Sequence, residues 1–380
     1  MEGEMYNLMK VWIWVLISLC YCYVIGKATP KGTRRLLCLL PIVSLFLYLP
    51  LNLSSLHLAG TTAFFIAWLA NFKLLLFAYG KGPLSSSLSL PRFVAVACLP
   101  IKIQQNQSPK SHLNGQNQNT PSPQLHQNGQ NKEYPNAQNP QKGHKSPSNY
   151  AIKILLLAAL LRVYDYREFI HHILILVLYS FHLYFALEII LAMVAAMARV
   201  VLGIELEQQF NEPYLSTSLQ DFWGRRWNIM VSSILRPSVY DPLLRFGTPL
   251  IGRKWAPLPA IFGTFVVSGL MHEIIFYYLG RVRPTWEITW FFLLHGFCLM
   301  VEIVLKKIST EKKDKRRLPR VVSTPLTVGF VMTTGFWLFF PPLLRCRAEE
   351  RAFQEYAALG AFLNNSRRAL ISSLQSLVRF

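Results

Sequence analysis

The run at residues 260–279, AIFGTFVVSGLMHEIIFYYL, constrains this chain more than any other stretch. About 20 apolar residues at 1.5 Å rise per residue span the hydrocarbon core of a bilayer. One ionisable pair, His272-Glu273, sits inside the run. Such a pair is costly at membrane depth and marks a functional site by default. The plainer reading is a polar contact between helices of a bundle. Comparable apolar runs lie near 11–25, 36–53, 58–79, 169–202, 286–305 and 321–344, with a shorter one at 151–161. The expected fold is an all-α polytopic membrane protein with about eight transmembrane helices and additional interfacial amphipathic helices.

Composition agrees with that class. Charged residues make up 15% of the 380, against about 25% in soluble domains. The net charge of +20 would suggest nucleic acid in a soluble chain. Here the basic residues concentrate in short loops between apolar runs, which fits anionic headgroups and not nucleic acid. Counted alternately, the basic loops at 27–35, 81–102 and 306–320 fall on one side, taken as cytoplasmic, and both termini fall on the other. The flank before the first run is acidic and lacks an obvious cleavage site, so that run reads as a retained helix. The six scattered cysteines read as small hydrophobes.

Three regions follow. Residues 1–103 carry the N-terminal helices and an interfacial segment at 84–103. Lys73, near the end of its run, is expected to snorkel toward the headgroups. Residues 104–149 are rich in Asn, Gln, Ser, Pro, Lys and His, and read as a disordered polar loop. Its His112, His126 and His144 are too far apart to suggest a metal tract. Residues 150–380 form the membrane core, ending in an amphipathic tail suited to a membrane surface.

Within that core His272 is the best general base, because imidazole titrates near working pH. Glu273 leaves the helix about 100° away, too far round to orient His272 and placed to serve a neighbouring helix. His295 and Glu302 are seven apart and share a face. His171, His172, His182 and Glu188 read as satisfied polar groups between helices. Residues 205–235 break the apolar pattern with an aromatic, interfacial block, in which Ser218 and Asp221 resemble a capping box. There Arg225 and Arg226 could grip phosphates, and Asn228 could donate to a carbonyl becoming an oxyanion. The bland alternative is an interfacial anchor of Trp and Arg. No nucleophile elbow, H-E-x-x-H zinc motif or P-loop is present. His171-His172 lacks the aspartate of a soluble His-His-x-x-x-Asp site, and no internal repeat suggests a two-half transporter.

DFWGRRWN at 221–228, followed about forty residues later by SGLMHE at 268–273 on an apolar helix, resembles the membrane-bound O-acyltransferase pattern. WLANFKLLLFAYGKGPL (68–84) and SLPRFVAVACLPIKI (89–103) are similar to the N-terminal blocks of its plant wax synthase group, the long-chain-alcohol and sterol O-acyltransferases. The resemblance covers nearly the whole chain except the polar insert. It implies His272 as the active-site histidine and Asn228 as the asparagine closing the W-N motif. Arg225, Arg226, Trp227 and Glu273 are the candidate substrate-binding residues. It also implies a tunnel inside the endoplasmic reticulum membrane that takes long-chain acyl-CoA as co-substrate and a lipid alcohol as acceptor, with no cofactor or metal. A fatty alcohol is the expected acceptor, giving a wax ester, and a sterol is the alternative. A proton-coupled lipid transporter and a non-catalytic scaffold are the rivals from other classes. The sequence carries no signal for oligomeric state.

Overall fold

The computed structural model describes residues 2–100, 147–203, 206, 208–311 and 318–378. Most of the 104–149 insert lies outside the described residues, although its last three residues open a helix. In chain order the main helices are α1 (Glu2–Ala28), α2 (Thr33–Tyr48), α3 (Leu56–Ala78), α4 (Leu90–Cys98), α5 (Pro147–Val163) and α6 (His172–Leu202). They continue with α7 (Ile229–Leu235), α8 (Asp241–Trp255), α9 (Pro257–Gly280), α10 (Glu287–Glu311), α11 (Arg320–Arg345) and α12 (Ala348–Val378). The described residues contain no strand.

Seven helices, α1 to α3, α6 and α9 to α11, are long and apolar enough to cross a membrane. The expected eighth run forms α5, which at 17 residues is shorter than the about 20 of a typical span. It nonetheless runs antiparallel to α6. Lys153 on α5 pairs with Glu188 on α6 at 2.7 Å, and Tyr164 just past α5 meets Tyr179 nearer the start of α6.

Cross-links gather the helix ends onto two faces. On one, Gly32 donates to the Ala78 carbonyl at 2.8 Å, and the buried Arg35 donates to carbonyls of Gly26 and Thr29. On the other, Arg281 donates to carbonyls of Leu51 and Leu53, Arg351 to those of Ser54 and Leu279, and Glu4 accepts from Ser54 and Ser55. Helix C-termini leave carbonyls without intrahelical partners, and arginine side chains bond carbonyls at and just beyond these ends.

A core of α1 to α4 holds Leu39, Phe46, Phe77 and Phe93 almost without exposure. Two expectations are corrected in it. Lys73 does not snorkel: it is 0% exposed, and its Nζ donates to carbonyls of Val96 at 2.7 Å and Leu99 at 2.6 Å. The segment expected to be interfacial is α4, with Phe93, Val96, Ala97 and Cys98 buried. The two corrections have one cause. The short helix docks end-on against α3, and the lysine reaches the carbonyls that its last turn leaves free.

Candidate active site

Small residues bring α9 and α10 together. A Cβ added at Gly269 would lie 3.1 Å from the Thr289 Cα, and one at Gly296 would lie 2.9 Å from the Phe265 Cβ. This is the close backbone approach that small residues permit between membrane helices. Glu273 fastens the pair. It is buried on α9 and accepts from the Thr289 amide at 3.0 Å and the Thr289 hydroxyl at 3.3 Å. That amide belongs to the first turn of α10, where the N–H groups have no intrahelical partner.

One residue earlier and about 100° round the helix, His272 faces a cavity instead. Its Nδ1 lies 2.8 Å from the Ser268 carbonyl oxygen. A carbonyl only accepts, so Nδ1 carries the proton and Nε2 keeps a free lone pair. Three aromatic rings from three helices hold the imidazole. Trp68 of α3 meets it edge-on at 5.1 Å, Phe292 of α10 lies at 4.3 Å, and Phe339 of α11 at 6.2 Å.

The cavity measures about 450 Å³. Its walls come from α3, α6, α9, α10, α11 and α12 and from the interfacial block, and they are mostly apolar. It reaches Trp227 and Asn228 at one end and His57 and Tyr356 at the other.

The interfacial block supplies Asn228 through an unusual backbone. Ser218 caps its first turn by accepting from the Asp221 amide at 3.1 Å, as the sequence pattern predicts. A π-helical turn, Phe222–Arg226, follows, and the chain then reverses at Asn228, where φ is +43°. Asn tolerates this left-handed conformation better than most residues. The Asn228 Oδ1 is buried and has no hydrogen-bond partner among the described residues. Its carboxamide is therefore uncommitted at the cavity wall. Two residues on α10 hold the block. Glu302 accepts from the Leu219 amide at 2.8 Å. His295 accepts from the Trp223 indole at 3.1 Å and donates from Nε2 to Thr334 at 2.8 Å.

The six candidate residues thus divide. His272, Asn228 and Trp227 line one cavity. Arg226 does not face it: its guanidinium binds Asp221 at 2.8 Å and the carbonyls of Asn211 and Glu212, closing the block on itself. Arg225 is exposed and also outside the cavity. Glu273, carried with the substrate-binding residues, instead bonds α10, as its direction on the helix foretold.

Sequence reasoning missed Trp68, Phe292, His57 and Tyr356. One usable signal was present. Trp favours membrane interfaces, so Trp68 near the middle of a span is out of its usual place.

The sequence profile of the membrane bound O-acyl transferase family matches residues 206–294, which include Asn228 and His272. The chain is 48% identical to acyl-CoA–sterol O-acyltransferase 1 of Arabidopsis thaliana, over 97% of this chain and 100% of that protein. It is 44% identical to the long-chain-alcohol O-fatty-acyltransferase of Simmondsia chinensis, over 94% and 95%. It is 43% identical to the probable long-chain-alcohol O-fatty-acyltransferase 3 of Arabidopsis thaliana, over 93% and 94%.

Proposed function

Because this chain belongs to the membrane-bound O-acyltransferase family and is an acyltransferase of the wax synthase type, we propose that it esterifies a lipid alcohol with a long-chain acyl group from acyl-CoA, His272 serving as general base. The observation that carries this reading is the His272 Nδ1 bond to the Ser268 carbonyl, which leaves Nε2 as a proton acceptor in an apolar cavity. The acceptor hydroxyl gives its proton to Nε2 as its oxygen attacks the thioester carbonyl. The tetrahedral oxyanion takes a hydrogen bond from the Asn228 carboxamide. Collapse expels the CoA thiolate, which recovers the proton from the imidazolium. The thioester already carries the activation, so this route needs no cofactor, metal or covalent enzyme intermediate.

A fatty alcohol is our first choice of acceptor, giving a wax ester. A sterol is the second, favoured by the 48% identity to a protein named as a sterol acyltransferase. Arg225 is exposed beside the block and remains a candidate for the CoA phosphates. We assign the reaction to the endoplasmic reticulum membrane.

The test uses microsomes from a host with little ester synthesis of its own. Wild type and His272→Ala, matched for membrane level, receive labelled acyl-CoA with a panel of fatty alcohols and sterols. The expected result is ester from wild type and a loss of about 10²–10⁴-fold in the variant. Ester formation unchanged in His272→Ala would remove the proposed base. No ester with any acceptor, together with proton-coupled lipid flux, would favour the transporter.

A further inference from the structure

The cavity end away from Asn228 is polar, and the proposed reaction at His272 does not use it. Four side chains form a directed chain there. His57 Nδ1 lies 2.7 Å from Glu355 Oε2, His57 Nε2 lies 3.1 Å from the Tyr356 hydroxyl, and that hydroxyl lies 3.0 Å from His182 Nε2. Glu355 also accepts from Ser55 and from the amides of Leu56 and His57, so its carboxylate is fixed.

Proton counting sets the directions. With one proton on the His57 ring, Nδ1–H donates to the Glu355 carboxylate and Nε2 is an acceptor. Tyr356 therefore donates its single proton to His57, and burial, which pushes its phenol up to about 12, keeps that proton on it. The Tyr356 oxygen then accepts from His182 Nε2–H. His182 Nδ1 is left as an acceptor, with no hydrogen bond among the described residues. Three rings, of Tyr164, Phe353 and Tyr356, hold His182 in place.

A second acceptor at this end is one oxygen of Glu349. Glu349 Oε2 is buried without a hydrogen bond among the described residues, and burial raises its pKa. Glu349, Phe353 and Tyr356 follow each other at helical spacing along α12, and all three line the cavity with His57 and His182. An apolar tail ending here would leave these acceptors unsatisfied, which is costly. A hydroxyl would satisfy one of them.

The geometry points to a second, hydroxyl-binding subsite, built from His182, Tyr356 and Glu349, that receives the far end of a substrate chain whose reacting end lies at His272. The inference rests on the acyl-transfer reading. His57 and Trp68 are eleven residues apart on α3, and Trp68 touches His272, so the two ends are separated by at most about 16 Å, the α-helical rise being 1.5 Å per residue and the π stretch rising less. The substrate class is a long chain bearing a terminal hydroxyl. Either the acceptor or the acyl donor could supply it.

Two arms distinguish these sources, both in microsomes. In one, acyl-CoA is offered with matched 1-alkanols and α,ω-diols of graded length. In the other, a 1-alkanol is offered with matched acyl-CoA and ω-hydroxyacyl-CoA. The readout is the ratio of kcat/KM for the terminally hydroxylated substrate to that for its plain partner. We expect a preference of about tenfold in one arm, near the upper worth of a single hydrogen bond. It should peak at one chain length and fall to about twofold or less in Tyr356→Phe. His182→Phe repeats the comparison should Tyr356→Phe fail to accumulate. Ester formation in wild type with no preference in either arm overturns the subsite and leaves the acyltransferase reading standing. A preference that survives both substitutions also overturns it. Absence of all ester overturns the acyl-transfer reading and the subsite with it.

Discussion

His272 and Glu273 are neighbours in sequence with unrelated surroundings. One faces an apolar cavity, and the other closes the first turn of α10. Their substitutions should therefore differ in kind. Glu273→Gln keeps an acceptor oxygen for Thr289. It should lower thermal stability in detergent while costing less than about tenfold in specific activity at matched protein level. A base substitution costs about 10²–10⁴-fold. An activity loss in Glu273→Gln as deep as that of His272→Ala, in a protein equally stable, would return Glu273 to the chemistry. The sequence singled out His272 as an ionisable residue at membrane depth and Asn228 as the end of an aromatic, interfacial block, and helix geometry alone turned Glu273 away from His272. It did not reveal the engagement of Arg226. A guanidinium that grips a phosphate and one that ties its own loop have the same local sequence, and only the fold brings the Asn211 and Glu212 carbonyls to it.

At the scale of elements, apolar runs located the spanning helices because length is nearly sufficient evidence in a bilayer. The failures came where a helix end meets a neighbour. Lys73 and α4 were misjudged because a lysine near the end of an apolar run usually finds water, and nothing local announces a docked helix with open carbonyls. The joint between α12 and α3 is a similar end contact. Burial opposes ionisation of Glu355, but hydrogen bonds from the His57 side chain and from the backbone amides of His57 and Leu56 outweigh it, bringing the carboxyl from 4.5 down to about 2. A depressed folded-state pKa stabilises above the unfolded value and loses that contribution as pH falls through the folded one. The docking of α12 should thus hold at neutral pH and weaken as pH drops from about 4.5 toward 2. Limited proteolysis of α12 across that range measures this, and Glu355→Ala should be cleaved readily even at pH 7. Equal protection in wild type and variant at every pH would mean that α12 is held by its other contacts.

For the whole molecule, the count of crossings decides which loops share a compartment. With α5 crossing, the C-terminal ends of α1, α3 and α10 lie on one face and the α12 joint on the other, and the cross-links at Gly32–Ala78 and at Arg281, Arg351 and Glu4 fall on these two faces. Glycosylation tags inserted near residues 84 and 168 should then report opposite sides of the membrane. The same side for both would make α5 a surface helix and leave seven crossings. Alternate counting of charged loops could reach this arrangement from sequence. The cavity could not be foreseen, because it is assembled from segments as distant as Leu56 and Tyr356.

Three stretches of the cavity wall are wound more loosely than an α-helix: Ala63–Ala70, Phe222–Arg226 and Gly335–Phe339. Each π turn behaves as a spare link in a chain, one residue more than an α turn would hold. Taking out that link, for example by deleting Ala67, would let the stretch close into α turns, keeping the two flanking halves of α3 near their present facing while turning the residues inside the stretch relative to them. Trp68 would then leave the His272 ring with the helix still long enough to span. In this wall it is the winding of the backbone, more than the identity of any one side chain, that aims the aromatic rings.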